Sequence, residues 1–245
     1  MSLRFCFGPS GSGKSYQVYK DIIGRSVEEP QRNFLIIVPD QFTMQTQKEL
    51  VTMHEREGIM NIDVLSFGRL AHRIFEEVGA EKMQVLDDTG KSLILQRVAH
   101  SIKDELPVLG SRLHKQGYIH EVKSAISEFM QYGLSVDDVG QLAEYSAARG
   151  ALHYKLKDLE CLYRHFLEYI RGNFITTEEK LDILRGRLKD SAIIRDSIVV
   201  FDGFTGFTPI QNRLIQELMY LINSHIYSCK ILQPVFSICS SPSWI

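Results

Sequence analysis

The chain has 245 residues, 44% of them hydrophobic and 24% charged, with a formal net charge of −2 at pH 7. That length can bury a substantial core, as one α/β domain or as one domain carrying an insertion. The balance lacks the global basic excess that marks many nucleic-acid binders, although a local groove can still be basic. No apolar run approaches the ~20 residues needed to cross a bilayer, which predicts no membrane association. Met1 runs straight into an expected strand, so no signal peptide is predicted. Cys6, Cys161, Cys229 and Cys239 lack C-x-x-C spacing. They predict reduced thiols in the cytoplasm, not a disulfide framework, a zinc site or an iron–sulfur cluster.

In chain order, the apolar run Leu3 to Phe7 predicts a buried strand. Gly8, Gly13, Lys14 and Ser15 then satisfy G-x-x-x-x-G-K-[ST] at every fixed position, and Tyr16, Val18, Tyr19, Ile22 and Ile23 predict a helix. Strand, glycine loop and helix together define a phosphate-binding turn. Gly8, Gly11 and Gly13 permit backbone conformations that turn consecutive N–H groups inward, with Ser12 between them, and the helix N-terminus adds partial positive charge. Lys14 can reach the β- and γ-phosphates, and the Ser15 hydroxyl can ligate Mg²⁺.

The polar stretch 27–33 contains Pro30 and predicts a loop. Phe34 to Val38 reads as a strand buried on both faces. Asp40 is an expected N-cap for a helix over Gln41 to Glu55. Ile62 to Leu65 predicts a third strand, and Ser66 an N-cap for a helix carrying Leu70, Ile74, Phe75 and Val78. Alternating strands and helices predict a parallel sheet.

From Asp87 to Lys189 no convincing strand is visible. Five helices are expected there: one starting near Asp88, one ending at Gly133, one opening at Ser135 or Asp137 and ending near Gly150, a long amphipathic one over Leu152 to Ile170, and one around Thr177 to Leu184. The α/β signal resumes at Ser197 to Phe201, a strand ending in Asp202. Thr208 and Pro209 open another helix, and Ile226 to Leu232 reads as a last strand. The expected organisation is thus a first α/β part over 1–86, a helical insertion over 87–190, a second α/β part over 191–232, and an atypical tail over 233–245.

A phosphate loop needs a carboxylate to hold Mg²⁺, and Asp202, after four apolar residues, is the candidate. The next residue is Gly203, which can neither accept a proton nor orient water. General-base help is worth about 10² to 10⁴ in rate, so nucleotide binding with weak or absent hydrolysis is expected, and no catalytic residue is assigned.

These residues carry a resemblance. The segments MSLRFCFGPSGSGKS, IIVPDQFTMQTQKEL, VLSFGRLAHRIF and VVFDGFTGFTPIQ are similar, in that order, to superfamily 1 helicases of the UvrD/RecB type. They most closely resemble the N-terminal region of the AddB family, the B subunits of bacterial AddAB helicase–nucleases. The likeness reaches to about Lys230. It implies a RecA-like P-loop sheet interrupted by a helical insertion, and a nucleotide site of Gly8, Gly11, Ser12, Gly13, Lys14, Ser15 and Gln211 taking ATP, with Mg²⁺ on Ser15 and Asp202. It places DNA-contact candidates at Gln41, Phe42, Thr43, Ser66 and Phe67, with Phe42 and Phe67 as base-stacking candidates.

Gln45 stands where the first contact motif has lysine, Gly203 where the catalytic glutamate stands, and Gly206 where a second aspartate stands. The implied function is a helicase-like scaffold in DNA-end processing and recombination, with an AddA-like partner subunit as the motor. The family's nuclease domain and its four-cysteine iron–sulfur cluster have no counterpart in this chain, whose tail predicts a truncation. The alternative is a stand-alone P-loop NTPase or kinase. The dispersed histidines lack ligand spacing, and Tyr154, Tyr163, Phe166 and Tyr169 recur at helical spacing, which predicts core or subunit contact.

Overall fold

A computed structural model describes residues 2–55, 58–79, 84–113, 115–222 and 225–231. In chain order the elements begin with β1 (Ser2–Gly8), α1 (Lys14–Glu28), β2 (Phe34–Ile37), α2 (Thr43–Met53), β3 (Ile62–Leu65) and α3 (Phe67–Val78). There follow β4 (Val85–Leu86), α4 (Asp88–Ser101), α5 (Gln116–Tyr132), α6 (Val136–Tyr145), α7 (Ala151–Ile170), β5 (Ile175–Thr176) and α8 (Thr177–Arg187). The chain continues through α9 (Ala192–Arg195), β6 (Ile198–Phe201), α10 (Pro209–Leu221) and β7 (His225–Ile231). The protein is mixed α/β, mostly helical, with a small parallel sheet. None of the described helices is long and apolar enough to cross a membrane.

The chain divides into two compact units. The first takes the residues up to Phe67, Ala192–Gly206, and the chain from Ile222. Its five strands run in the order β1-β7-β6-β2-β3, every pair parallel. β2 and β6 are apolar at every position because both of their faces are covered: Phe34, Leu35, Ile36 and Ile37 of β2 are all 0% exposed. Val18, Tyr19 and Ile22 of α1 and Leu50 of α2 pack with Phe34, Ile36, Ile198 and Val200 into one core. β1 departs from expectation. It is an edge strand, and Leu3, Phe5 and Phe7 are 38%, 47% and 59% exposed. Cys6, pointing to the opposite face by strand alternation, is half-buried against the core.

The second unit takes Gly68–Ser191 and Phe207–Leu221. It therefore starts well before residue 87 and includes α10. Leu95, Val98, Ile126, Val139, Leu162 and Phe166 sit in its core. A buried ion pair crosses it: Lys91 Nζ donates to both oxygens of Glu178 at 3.0 and 2.9 Å. Asp158, 2% exposed, accepts the backbone N–H groups of Val108 and Leu109 at 2.9 and 2.7 Å, which anchors the loop after α4.

Several expected boundaries move, each for a local reason. The stretch read as strand-free contains β5, which pairs in parallel with β4; two residues are too few to show strand alternation. The helix expected from Gln41 begins at Thr43. A 3₁₀ turn over Asp40–Phe42 precedes it, and Asp40 offers its carbonyl to the Thr43 hydroxyl rather than its side chain to the helix. The helix opened by the Ser135–Asp138 capping box stops at Tyr145, and Gly150, at φ 38°, opens α7 instead of closing α6. The helix expected around Thr177 does begin there, behind a capping box of Thr176 and Glu179. Of the last expected strand, Ile226 to Ile231 falls within β7; Leu232 and the 233–245 tail lie outside the described residues.

Candidate functional site

The turn between β1 and α1 is built by its glycines. Gly11 and Gly13 adopt φ of 76° and 78°, the left-handed region that a side chain disfavours. Gly13 is the N-cap of α1 without any side-chain cap, so the first N–H groups of the helix face the turn unsatisfied by the chain's own side chains. A Cβ at Gly8 would lie 2.8 Å from Ser12 Oγ and 3.5 Å from Lys14 Cδ, because the loop folds back over its first residue. Lys14 Nζ donates to the carbonyls of Gly8 and Pro9 at 3.0 and 2.7 Å and approaches Ser12 Oγ at 3.5 Å. The cation thus lies over the turn it would share with phosphates.

Asp202 follows the last residue of β6, and β7 lies between that strand and β1. Ser10 to Tyr16 and Asp202 to Phe204 line one cavity of about 370 Å³. Lys14, Ser15 and Asp202, expected from the sequence to act together, line it together. The donor set fits the expected ligand: a cradle of glycine backbone, one lysine, one hydroxyl and one carboxylate suit a phosphate chain with a hard, oxygen-seeking cation. In that arrangement Lys14 and the turn would hold the phosphates, and Ser15 and Asp202 the Mg²⁺.

Asp202 is 6% exposed, and the Tyr19 hydroxyl donates to its Oδ2 at 2.6 Å. Tyr19 lies in α1 and is 3% exposed. Its hydroxyl is pushed well above the usual tyrosine range, first by burial and then by the Asp202 charge, while a hydrogen bond with Thr46 of α2 opposes the shift. It therefore remains a neutral donor. Sequence reasoning read Tyr19 only as one apolar position of a helix. The available signal was a tyrosine between Val18 and Ile22 on the apolar face, since a buried tyrosine oxygen needs a partner.

Gly203 has φ 76°, and a Cβ there would lie 3.4 Å from Phe42 Cδ2 and 3.5 Å from Pro39 Cδ. Phe42 is 37% exposed in the 3₁₀ turn after β2, beside the exposed Gln41. The other three DNA-contact candidates are buried: Thr43 at 4%, Ser66 at 1% and Phe67 at 6%. The Phe67 ring packs against Phe201 and Phe204, with centroids 6.2 and 5.5 Å apart. Gln45, at the position noted for lacking lysine, donates to Glu49 at 2.9 Å. Gln211 belongs to the second unit. Its Oε1 accepts the Thr208 N–H at 3.0 Å while its own N–H donates to Thr208 Oγ1, a capping box at the start of α10.

The fold and the cavity define a class: an α/β protein whose glycine turn and acidic strand end open onto one cleft. Comparison with known proteins narrows it. The chain belongs to the family described as ADDB, N-terminal, whose model matches residues 5–230. Similar curated proteins are named as the B subunits of ATP-dependent helicase/deoxyribonucleases. The relative from Lachnoclostridium phytofermentans is 47% identical over 219 residues, those from Caldanaerobacter subterraneus and Clostridium tetani 35% and 33% over 219 and 221. Each match covers 89% of this chain and 19% of the relative, so the chain spans about a fifth of the length of the curated relatives it matches.

Proposed function

We propose that this chain is the nucleotide-holding, helicase-like part of the B subunit of a bacterial helicase–nuclease that processes broken DNA ends for recombination. Its first unit is a RecA-like sheet that binds ATP with Mg²⁺. It acts in the cytoplasm with DNA and an AddA-like partner subunit that supplies the motor, and contributes structure and regulation rather than turnover. The observation that carries this reading is the joint lining of one cavity by Lys14, Ser15 and Asp202, with Gly203 where a catalytic base would be needed. Membership of the family and the names of the relatives supply the DNA-processing context.

The chemistry follows from the residues. The glycine turn and Lys14 neutralise phosphate charge and fix its register. Ser15 and Asp202 orient the cation. No side chain at position 203 can take a proton from water, so the bound nucleotide persists. Outside the cavity, Gln41 and Phe42 are the exposed candidates for a nucleic-acid strand, and Phe42 is the base-stacking candidate. Thr43 braces that turn through its hydroxyl bond to the Asp40 carbonyl.

The test is titration of the chain with a fluorescent ADP analogue and Mg²⁺. Lys14→Ala is expected to weaken binding at least about tenfold, because a hydrogen bond to a charged group contributes about 1.5–3 kcal/mol. Affinity for single-stranded oligonucleotides is expected to fall as salt rises. Robust strand unwinding by the chain alone would overturn the scaffold reading, and equal nucleotide binding by Lys14→Ala would overturn the site.

A further inference from the structure

Tyr19 stands outside every motif that identifies the site, yet it is bonded to the site's carboxylate. Its hydroxyl donates to Asp202 Oδ2 at 2.6 Å in a setting where both residues are almost wholly buried. The bond ties α1 to the residue that follows β6. A carboxylate held at one oxygen has its plane and its remaining lone pairs fixed, which is what a cation with strict geometry requires.

We propose that Tyr19 is the positioning residue for Mg²⁺ at this site: it locks the Asp202 carboxylate in the orientation that meets the cation of a bound nucleotide. The proposal rests on the nucleotide-site reading above and deepens it. Lys14 and the glycine turn hold phosphates directly, so they supply affinity with or without metal. Tyr19 acts only through Asp202, so its contribution appears only with metal. Loss of the hydroxyl leaves the ring in the core cluster it shares with Ile22 and Leu50 but lets the carboxylate turn.

The experiment measures the dissociation constant of a fluorescent ADP analogue in Mg²⁺ and in EDTA, for the parent chain, Tyr19→Phe and Tyr19→Leu, with thermal unfolding as a check on folding. In the parent, Mg²⁺ is expected to tighten binding. Tyr19→Phe is expected to erase about tenfold or more of that gain, the scale of one hydrogen bond to a charged group, and to leave the affinity in EDTA unchanged. Tyr19→Leu, which also lacks the hydroxyl, is expected to erase the same part, and it carries the test if Tyr19→Phe does not fold. An undiminished Mg²⁺ gain in the folded variants would overturn the positioning role and leave the nucleotide site standing. A parent that binds nucleotide equally in EDTA would overturn the metal role of Asp202 and, with it, the proposal. A parent that binds no nucleotide would overturn both readings, and Lys14→Ala run in parallel identifies that case.

Discussion

Restoring a glutamate at position 203 is the sharpest test of why the site should hold rather than hydrolyse. Gly203 has φ 76°, and an ordinary L-residue forced into the left-handed region costs roughly 1–2 kcal/mol. The new Cβ would lie 3.4 Å from Phe42 Cδ2 and 3.5 Å from Pro39 Cδ. Those are normal contact distances, so the penalty is backbone strain rather than collision. In a chain of this size each kcal/mol lowers the unfolding midpoint by about 2–4 °C, which gives a drop of about 2–8 °C for Gly203→Glu.

The catalytic outcome follows from the same geometry. A base in working position would raise hydrolysis by about 10² to 10⁴. Here the side chain would set out toward Phe42 and Pro39, so no such gain is expected, and Lys14-dependent phosphate release should stay within about threefold of the parent. Steady-state phosphate release with Mg²⁺ and ATP, set against Lys14→Ala as background, reads the rate. Differential scanning fluorimetry reads the midpoint. A hundredfold rise in release would refute the steric half of the reasoning, and an unchanged midpoint the strain half.

Two further outcomes concern the second unit. Lys91→Met strands the Glu178 carboxylate in a site where the pair's side chains are 3% and 8% exposed; urea unfolding is expected to show a loss of about 3–5 kcal/mol, largely recovered when Glu178→Leu is added. A loss that persists undiminished in the double variant would mean that the ion pair is not its source. Burial, with Glu179 and Glu178 adding to it, pushes the Tyr163 hydroxyl up from 10.0 to about 12. Its contribution to stability is complete below pH 10, where folded and unfolded chains are both protonated. Between pH 10 and 12 the unfolded chain loses its proton first, and stability falls by about 1.4 kcal/mol per pH unit. Tyr163→Phe should remove that share of the slope, and identical slopes for parent and variant would count against it.

What could be read in advance tracks how tightly physics restricts residue type. The glycine turn is legible because its backbone tolerates so few side chains, and β2 and β6 are legible because strands covered on both faces leave no polar position. The edge placement of β1 is harder to read: Leu3 to Phe7 is apolar at every position but Arg4, and composition reports apolar content, not which neighbours cover it. β4 and β5 are too short to carry a period. Phe67 looked like a stacking residue because of its motif, but its burial is decided by Phe201 and Phe204, more than a hundred residues later in the chain. Tyr19 was placed correctly on its helix, yet its partner lies 183 residues away, and no local pattern encodes a contact at that distance. Gly203 read as a missing base; its left-handed backbone adds that the position also resists acquiring one.

That 183-residue span also bears on how the protein is made. Closing a flexible loop costs about 2 kcal/mol more for every tenfold increase in its length, and the pairing of β2 with β6 closes a loop of this class. Gly68–Ser191 is not slack chain, because it packs around a core of its own, and a prefolded insert shortens the loop to the separation of its ends. Helical segments rich in near-neighbour contacts assemble quickly, while distant parallel strand pairing is slow. During synthesis the glycine turn emerges first and its aspartate only after the insert has been translated. Each nascent chain therefore passes through a period with half a cleft, β2 unpaired on the side that β6 will take. Ribosome-bound chains ending before Ile198 should accordingly be the ones that engage holding chaperones.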